Sequence, residues 1–125
     1  MSIMQKRSKK KPTGGKYKIK IVKRIANLGS NSRYTKVGEN SLRVIKVRGG
    51  NKKQFLLSSN IVNVYDKKDK KYKKTKMLGI ISSSANRHFV RRNILTKSAI
   101  VKTDLGNVRI TSRPGQEGGI NGVLL

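Results

Sequence analysis

The stretch Leu42-Arg43-Val44-Ile45-Lys46-Val47-Arg48, followed by Gly49-Gly50-Asn51 and then Gln54-Phe55-Leu56-Leu57, decides the fold class. Its first limb is rich in β-branched residues, which suit a pleated, half-buried backbone. Glycines between the limbs make positive φ cheap, so the segment reads as two strands joined at a glycine turn. Ser58-Ser59-Asn60 is a connector, and Ile61-Val62-Asn63-Val64-Tyr65 is a third strand. Asp66-Lys67-Lys68-Asp69-Lys70-Lys71 is a polar loop with turn-forming aspartates. A fourth strand covers 75–82, with Met77, Gly79 and Ile81 on one face and Leu78 and Ile80 on the other. Apolar residues on both faces point to a closed or two-layered sheet.

The strand rhythm breaks over 83–93, where Asn86 can cap a single helical turn across 87–92. Ala99-Ile100-Val101-Lys102-Thr103 and Val108-Arg109-Ile110-Thr111 form a second hairpin, turned at Asp104-Leu105-Gly106-Asn107. Pro114-Gly115 and Gly118-Gly119 punctuate the approach to a last strand over 121–125. Short strands spaced by turns, with no long helical pattern, define an all-β domain of about six to seven short strands. Closure into a small β-barrel removes the edges a small sheet must otherwise protect.

Upstream the texture differs. No acid precedes Glu39, while Lys6, Arg7, Lys9, Lys10, Lys11, Lys16, Lys18, Lys20, Lys23, Arg24, Arg33 and Lys36 do. The expected organisation is a long, basic, extended N-terminal arm over 1–38 and a β-barrel domain over 39–125. A short alternation at 17–22 is compatible with one strand in the arm. The arm reads as a segment that orders on a partner; an inert solubility tail is the alternative. Tyr17 and Tyr34 sit among the bases and can stack on nucleobases, which favours the first reading.

The whole chain carries 31 Lys plus Arg against 5 Asp plus Glu, a net charge of +26. Such a chain repels itself and gains stability beside a dense polyanion. Nucleic acid is the polyanion of highest fixed charge density in a cell, and cations on its phosphates release condensed counterions. Only 34% of residues are hydrophobic, so the core is small. There is no cysteine, which excludes disulfides and Cys-ligated zinc or iron–sulfur sites. No apolar run approaches the roughly 20 residues of a membrane span, and the basic start lacks the apolar stretch of a secretory signal. A soluble cytoplasmic protein without a membrane partner is expected.

Residues that could carry chemistry have simpler readings. His88 lies among Arg87, Phe89, Arg91 and Arg92 with no acid nearby in sequence to orient it as a catalyst. It is expected to contact a nucleotide or to be merely exposed or structural. Asp66 and Asp69 lie among lysines that oppose cation binding and lower carboxylate pKa values, so they read as turn residues. Thr13-Gly14-Gly15-Lys16 lacks the full phosphate-loop pattern and a preceding strand; it reads as a flexible glycine hinge able to approach a phosphate. No catalytic residue, metal, cofactor or small-molecule substrate is expected. Arginine beside glycine or an aromatic is the sharper signal, because its planar fork grips phosphate and stacks on bases. That selects Arg48 with Lys52 and Lys53 at the glycine turn, Arg87, Arg91 and Arg92 around Phe89, and Arg113 before Pro114. The lysines of 67–74 are a solvated face or a phosphate contact. Without a zinc finger, helix-turn-helix, RNP pair or GXXG signature, the chain reads as a binder of backbone and shape. A DNA-compacting architectural protein is the alternative to an RNA binder.

Three strings carry a resemblance: Val47-Arg48-Gly49-Gly50-Asn51-Lys52-Lys53; Val90-Arg91-Arg92-Asn93-Ile94-Leu95-Thr96-Lys97 before Ala99-Ile100-Val101; and Leu105-Gly106 before Val108-Arg109-Ile110-Thr111-Ser112-Arg113-Pro114-Gly115-Gln116. Together with Thr13-Gly14-Gly15, Leu28-Gly29 and Thr35-Lys36-Val37-Gly38 in order, they make the chain resemble the archaeal and eukaryotic small-subunit ribosomal protein eight-e family. It looks like the archaeal form, since the uninterrupted run from Arg91 to the C-terminus lacks the large eukaryotic insertion. The resemblance implies a small β-barrel with a basic arm bound to small-subunit ribosomal RNA, beside neighbouring small-subunit ribosomal proteins. By motif match, the arm from Lys16 to Arg24, with Tyr17, and the turn from Arg48 to Lys53 face RNA. The chain departs from the family at Ala26-Asn27, where an aromatic and an acid are usual, and at Ser83-Ser84, where Asn-Pro is common.

Overall fold

A computed structural model describes Ser8, residues 10–18, Gly29 and residues 31–125. The chain divides into two units, Met1–Ser32 and Arg33–Leu125. In the first, the described residues form a small turn: Lys10 bridges antiparallel to Lys16, and Lys11 N–H donates to the Gly15 carbonyl at 2.7 Å. The alternation at 17–22 falls mostly outside the described residues.

The second unit is all-β. Among the described residues its strands are β1 (Thr35–Lys36), β2 (Ser41–Lys46), β3 (Lys52–Ser58), β4 (Ile61–Asp66), β5 (Lys71–Ser82), β6 (Ile94–Leu95), β7 (Ile100–Thr103), β8 (Gly106–Ile110) and β9 (Asn121–Leu124). A four-residue helix, α1 (His88–Arg91), follows β5. Strands β4, β5, β7, β8 and β9 close a barrel, while β2, β3, β1 and β6 form a separate sheet in that order. The barrel runs antiparallel from neighbour to neighbour until β9 meets β4 in parallel. An odd number of alternating strands makes that parallel seam unavoidable. The seven longer strands correspond to the strands read from sequence, but the first hairpin, β2–β3, lies outside the barrel wall.

Alternation explains the wall. Val62 and Val64 on β4, Val101 and Thr103 on β7, and Val108 and Ile110 on β8 point inward, and Asn63, Lys102 and Arg109 point outward. Leu56 of β3 and Leu95 of β6 join this core, so the sheet contributes to the barrel interior through two leucines. The loop over 111–120 ties the two together: Leu56 N–H donates to the Pro114 carbonyl at 3.0 Å.

The face assignment of β5 needs correction. Register irregularities fall between Met77 and Gly79 and between Ile80 and Ser82. The first is a bulge that resets the two-residue period. Met77 and Ile80 therefore both pack on the core, while Leu78 and Ile81 are exposed. The strand also begins earlier than its apolar part, at Lys71, because the backbone of 71–76 continues the ladder with β4. The second hairpin is tighter than expected: Thr103 pairs with Gly106, leaving Asp104-Leu105 as the loop, and Gly106 takes φ 128°.

Candidate nucleic-acid interface

The α1 region gathers the densest set of candidate residues. Asn86 Oδ1 accepts the His88 N–H at 2.9 Å, and the Asn86 carbonyl accepts the Phe89 N–H at 3.1 Å. This is the single turn the Asn86 signal indicates. Asn93, at φ 50°, ends it; its carbonyl accepts the Val37 N–H at 3.1 Å, joining the turn to the strand before it in space. Ser83, at one of the departures from the family pattern, holds its Oγ 3.3 Å from Thr96 Oγ1. Phe89 anchors the turn: its ring lies 5.5 Å from that of Tyr34, tilted by 58°. Arg92 sets its guanidinium 6.0 Å from the Tyr34 ring centroid. Arg87, His88, Arg91 and Arg92 are all exposed, with no acid in the first turn. Like charges four apart on a helix repel, so this cluster is unfavourable until an anion approaches it.

A second cluster centres on Phe55. Arg33 places its guanidinium 3.8 Å from the centroid of that buried ring. Arg43 is the cross-strand partner of Phe55. Arg113 donates to Gln116 Oε1 at 3.4 Å, and a Cβ on Gly115 would come within 3.0 Å of the Arg33 carbonyl oxygen. The loop bearing Arg113 is thus pressed against the segment bearing Arg33. Consecutive residues Arg33 and Tyr34 join the Phe55 and Phe89 clusters.

The β2–β3 ribbon carries the third group. From Ser41 to Gln54 nothing is fully buried. Lys46 lies directly opposite Lys52, and Ile45 opposite Lys53. Like charges in direct opposition destabilise a sheet. At the tip Gly49 and Gly50 both take φ 73°, a conformation other residues adopt only with strain, and Val47 N–H closes the turn on the Asn51 carbonyl at 2.8 Å. Arg48, Lys52 and Lys53 are all exposed at or beside this tip, with Lys52 and Lys53 on opposite faces of β3.

In the first unit, Lys10, Lys11, Lys16, Tyr17 and Lys18 surround the 12–15 turn, with the Lys11 ammonium 5.4 Å from the Tyr17 ring centroid. Thr13-Gly14-Gly15 is a closed turn rather than a flexible hinge, since Gly14 donates its N–H to the Lys11 carbonyl at 3.0 Å. Lys6, Arg7, Lys9, Lys20, Lys23 and Arg24 lie outside the described residues.

Asp66 and Asp69 do serve the β4–β5 turn. Asp66 Oδ1 accepts the Lys68 N–H at 3.0 Å, and Lys73 Nζ lies 2.6 Å from Asp69 and 3.5 Å from Asp66. The Lys68 N–H is the main cause holding the Asp66 carboxyl below its ordinary range; the Lys73 charge adds to it. The hydrogen bond to Asp69 raises the Lys73 pKa. Both ion pairs among the described residues fall on Lys73, so no described arginine is neutralised by a carboxylate. Sequence reasoning missed Arg43 and the stacking of Arg33 on Phe55; the only signal for Arg43 was its placement opposite Phe55 on one hairpin.

Comparisons with known proteins give the chain its relatives. Residues 4–125 match the family described as Ribosomal protein S8e. A protein of Methanococcus aeolicus named small ribosomal subunit protein eS8 is 42% identical over 126 residues, covering all of this chain and 98% of the relative. Proteins of the same name from Picrophilus torridus and Methanobrevibacter smithii are 45% and 44% identical over 125 residues, each pair covered end to end. A family match over nearly all the sequence, with archaeal relatives aligned along their full length, settles its kinship: the chain belongs to the ribosomal protein S8e family.

Proposed function

We propose that the chain is a structural, non-catalytic constituent of the small ribosomal subunit, bound to small-subunit ribosomal RNA beside neighbouring ribosomal proteins in the cytoplasm. The observation that carries this reading is the α1 cluster: Arg87, His88, Arg91 and Arg92 crowd one exposed turn held by the Phe89–Tyr34 contact, with no carboxylate paired to any of them among the described residues. An isolated protein gains nothing from that crowding, whereas RNA phosphates relieve it. The names of the relatives point to the same particle.

In this reading the barrel is a rigid base. The all-β unit presents three cationic elements: the α1 turn, the Arg33–Arg113 pair and the Arg48–Lys53 ribbon tip. Arginine forks bind phosphates in pairs of N–H donors, and ring stacking fixes their planes beforehand. The basic N-terminal segment adds the positive charges from Lys6 to Arg24, which contribute further phosphate contacts. The test is to purify small subunits through a high-salt wash and look for the chain; its absence would overturn the proposal. At matched salt, the protein should also prefer structured ribosomal RNA to duplex DNA. Equal affinity would instead favour an architectural role on DNA.

A further inference from the structure

The outer face of the β4–β5 hairpin, built from residues in none of the three elements above, carries its own binding chemistry. Tyr65 and Tyr72 are cross-strand partners with ring centroids 4.9 Å apart and planes inclined by 44°. Tyr72 remains 74% exposed, so the Tyr65 contact supports it while leaving most of the ring open to solvent. Val62 and Val64 face the core, which puts Tyr65 on the outer face. Its partner Tyr72, with Lys74 and Lys76 two and four residues on, shares that face. The turn beyond adds exposed Lys67, Lys68 and Lys70, and Lys71, exposed at the start of β5, has the parity of Lys73.

The acids in this hairpin do not neutralise that face. Lys73 belongs to the opposite, inward parity, and it alone takes both Asp66 and Asp69. Asp66 also fixes the turn by accepting the Lys68 N–H. The consequence is a rigid turn in which two carboxylates are satisfied from within. Six exposed lysines of the hairpin, Lys74 and Lys76 on the face of the open ring and the others at or next to the turn, are left without a carboxylate partner among the described residues.

We infer that this face binds an unpaired nucleotide of ribosomal RNA, its base stacked on Tyr72 and the flanking phosphates on Lys74, Lys76 and the turn lysines. The inference rests on the reading of the chain as an RNA binder and adds a contact to it. An unpaired base is favoured over a duplex because an open ring stacks only on a base that is out of its helix. Exposed lysines alone serve either form; the supported tyrosine makes the difference.

The test uses the full chain with two variants. Tyr72→Trp gives a stacking reporter, and Lys67, Lys68, Lys70 and Lys71 changed together to Gln remove the turn charge. The parent chain has no tryptophan, so the indole emission of the Tyr72→Trp variant comes from this site alone. That emission should be quenched by small-subunit ribosomal RNA and by a single-stranded adenosine dodecamer, and much less by the matched duplex. The four-Gln variant should flatten the slope of log affinity against log salt by about 3, the value for four single-strand phosphate contacts. The control is Arg91→Gln with Arg92→Gln, which weakens RNA binding if the broader reading holds. Control binding that falls while the indole emission and the four-Gln slope stay unchanged overturns this inference alone. Equal quenching by single strand and duplex overturns the unpaired-base assignment. Loss of no affinity in either variant or control overturns the RNA reading itself.

Discussion

Arg33 stacks its guanidinium 3.8 Å above the ring of Phe55, a residue two strands away by chain order but its immediate neighbour in space. The ring is buried while Arg33 itself is exposed, so the cation rests on an apolar base at the surface. Such a contact fixes the plane of an arginine before a phosphate arrives, which reduces the entropy lost on binding. The same residue's backbone abuts Gly115, so the stack also helps position the loop of Arg113.

Arg33→Lys should therefore do more harm than its conserved charge suggests. The stack is worth about 0.5–1 kcal/mol at an exposed site. A thermal midpoint lowered by a few degrees and a weaker complex with ribosomal RNA are expected, with an unchanged salt slope. A variant matching the parent in both affinity and melting would show that the stacked plane contributes nothing.

Gly122→Ala should be severely destabilising. Gly122 is an inward position on β9, and a Cβ there would collide with Val108 Cγ1 and stand 3.0 Å from the Arg109 carbonyl oxygen. The obstacle includes backbone at the β8–β9 ladder, which cannot swing aside. Overpacking of this kind costs about 1–3 kcal/mol or more. Urea unfolding of the variant should show the loss directly. Gly79→Ala, where no atom lies within 4 Å of the new methyl, is the matched control.

Gly122 and Gly79 sit on strands that differ in how openly the chain declares them. The strands over Val62–Val64, Val101–Thr103 and Val108–Ile110 were legible because each obeys strict alternation with one buried face. The short pairings at Thr35–Lys36 and Ile94–Leu95 were not, since two residues carry no period. Thr35 betrays its burial only in space, through the bond from its Oγ1 to the Leu56 carbonyl at 2.8 Å. The bulge after Met77 was likewise invisible: Leu78-Gly79-Ile80-Ile81 is apolar throughout and offers no parity to read. For the interface, the arginines around Phe89 are legible from their adjacency to that aromatic in the chain. Their ring partner Tyr34 lies far earlier in the chain, where the sequence marks it only as an aromatic among bases.

The β4–β5 turn should respond to pH at both extremes. Asp66 has a lowered pKa, so its contribution is complete above the ordinary carboxylate value of 3.8 and is lost as pH falls through the folded value below it. Lys73 has a raised pKa, so its contribution is complete below the ordinary ammonium value of 10.5 and is lost as pH rises through the folded value above it. Between those limits the turn is at full strength. The Lys68 amide resonance, reporting the bond to Asp66, should shift only below about pH 4 in the acid limb. A midpoint at or above 3.8 would contradict the lowered carboxyl.

Replacing Arg91 and Arg92 together with Lys separates geometry from charge. Net charge stays at +26, so long-range attraction to RNA is preserved. What is lost is the planar fork of both residues and the approach of Arg92 to the Tyr34 ring. Reconstitution of small subunits should therefore incorporate the variant less well, with an intact fold by circular dichroism and a salt slope close to the parent's. Changing the same pair to Gln should weaken binding further and flatten the slope by up to about 2, since two phosphate contacts disappear. If the Lys variant assembled as well as the parent while the Gln variant failed, the α1 turn would act through charge alone, and the preorganised arginine planes would have no part in recognition.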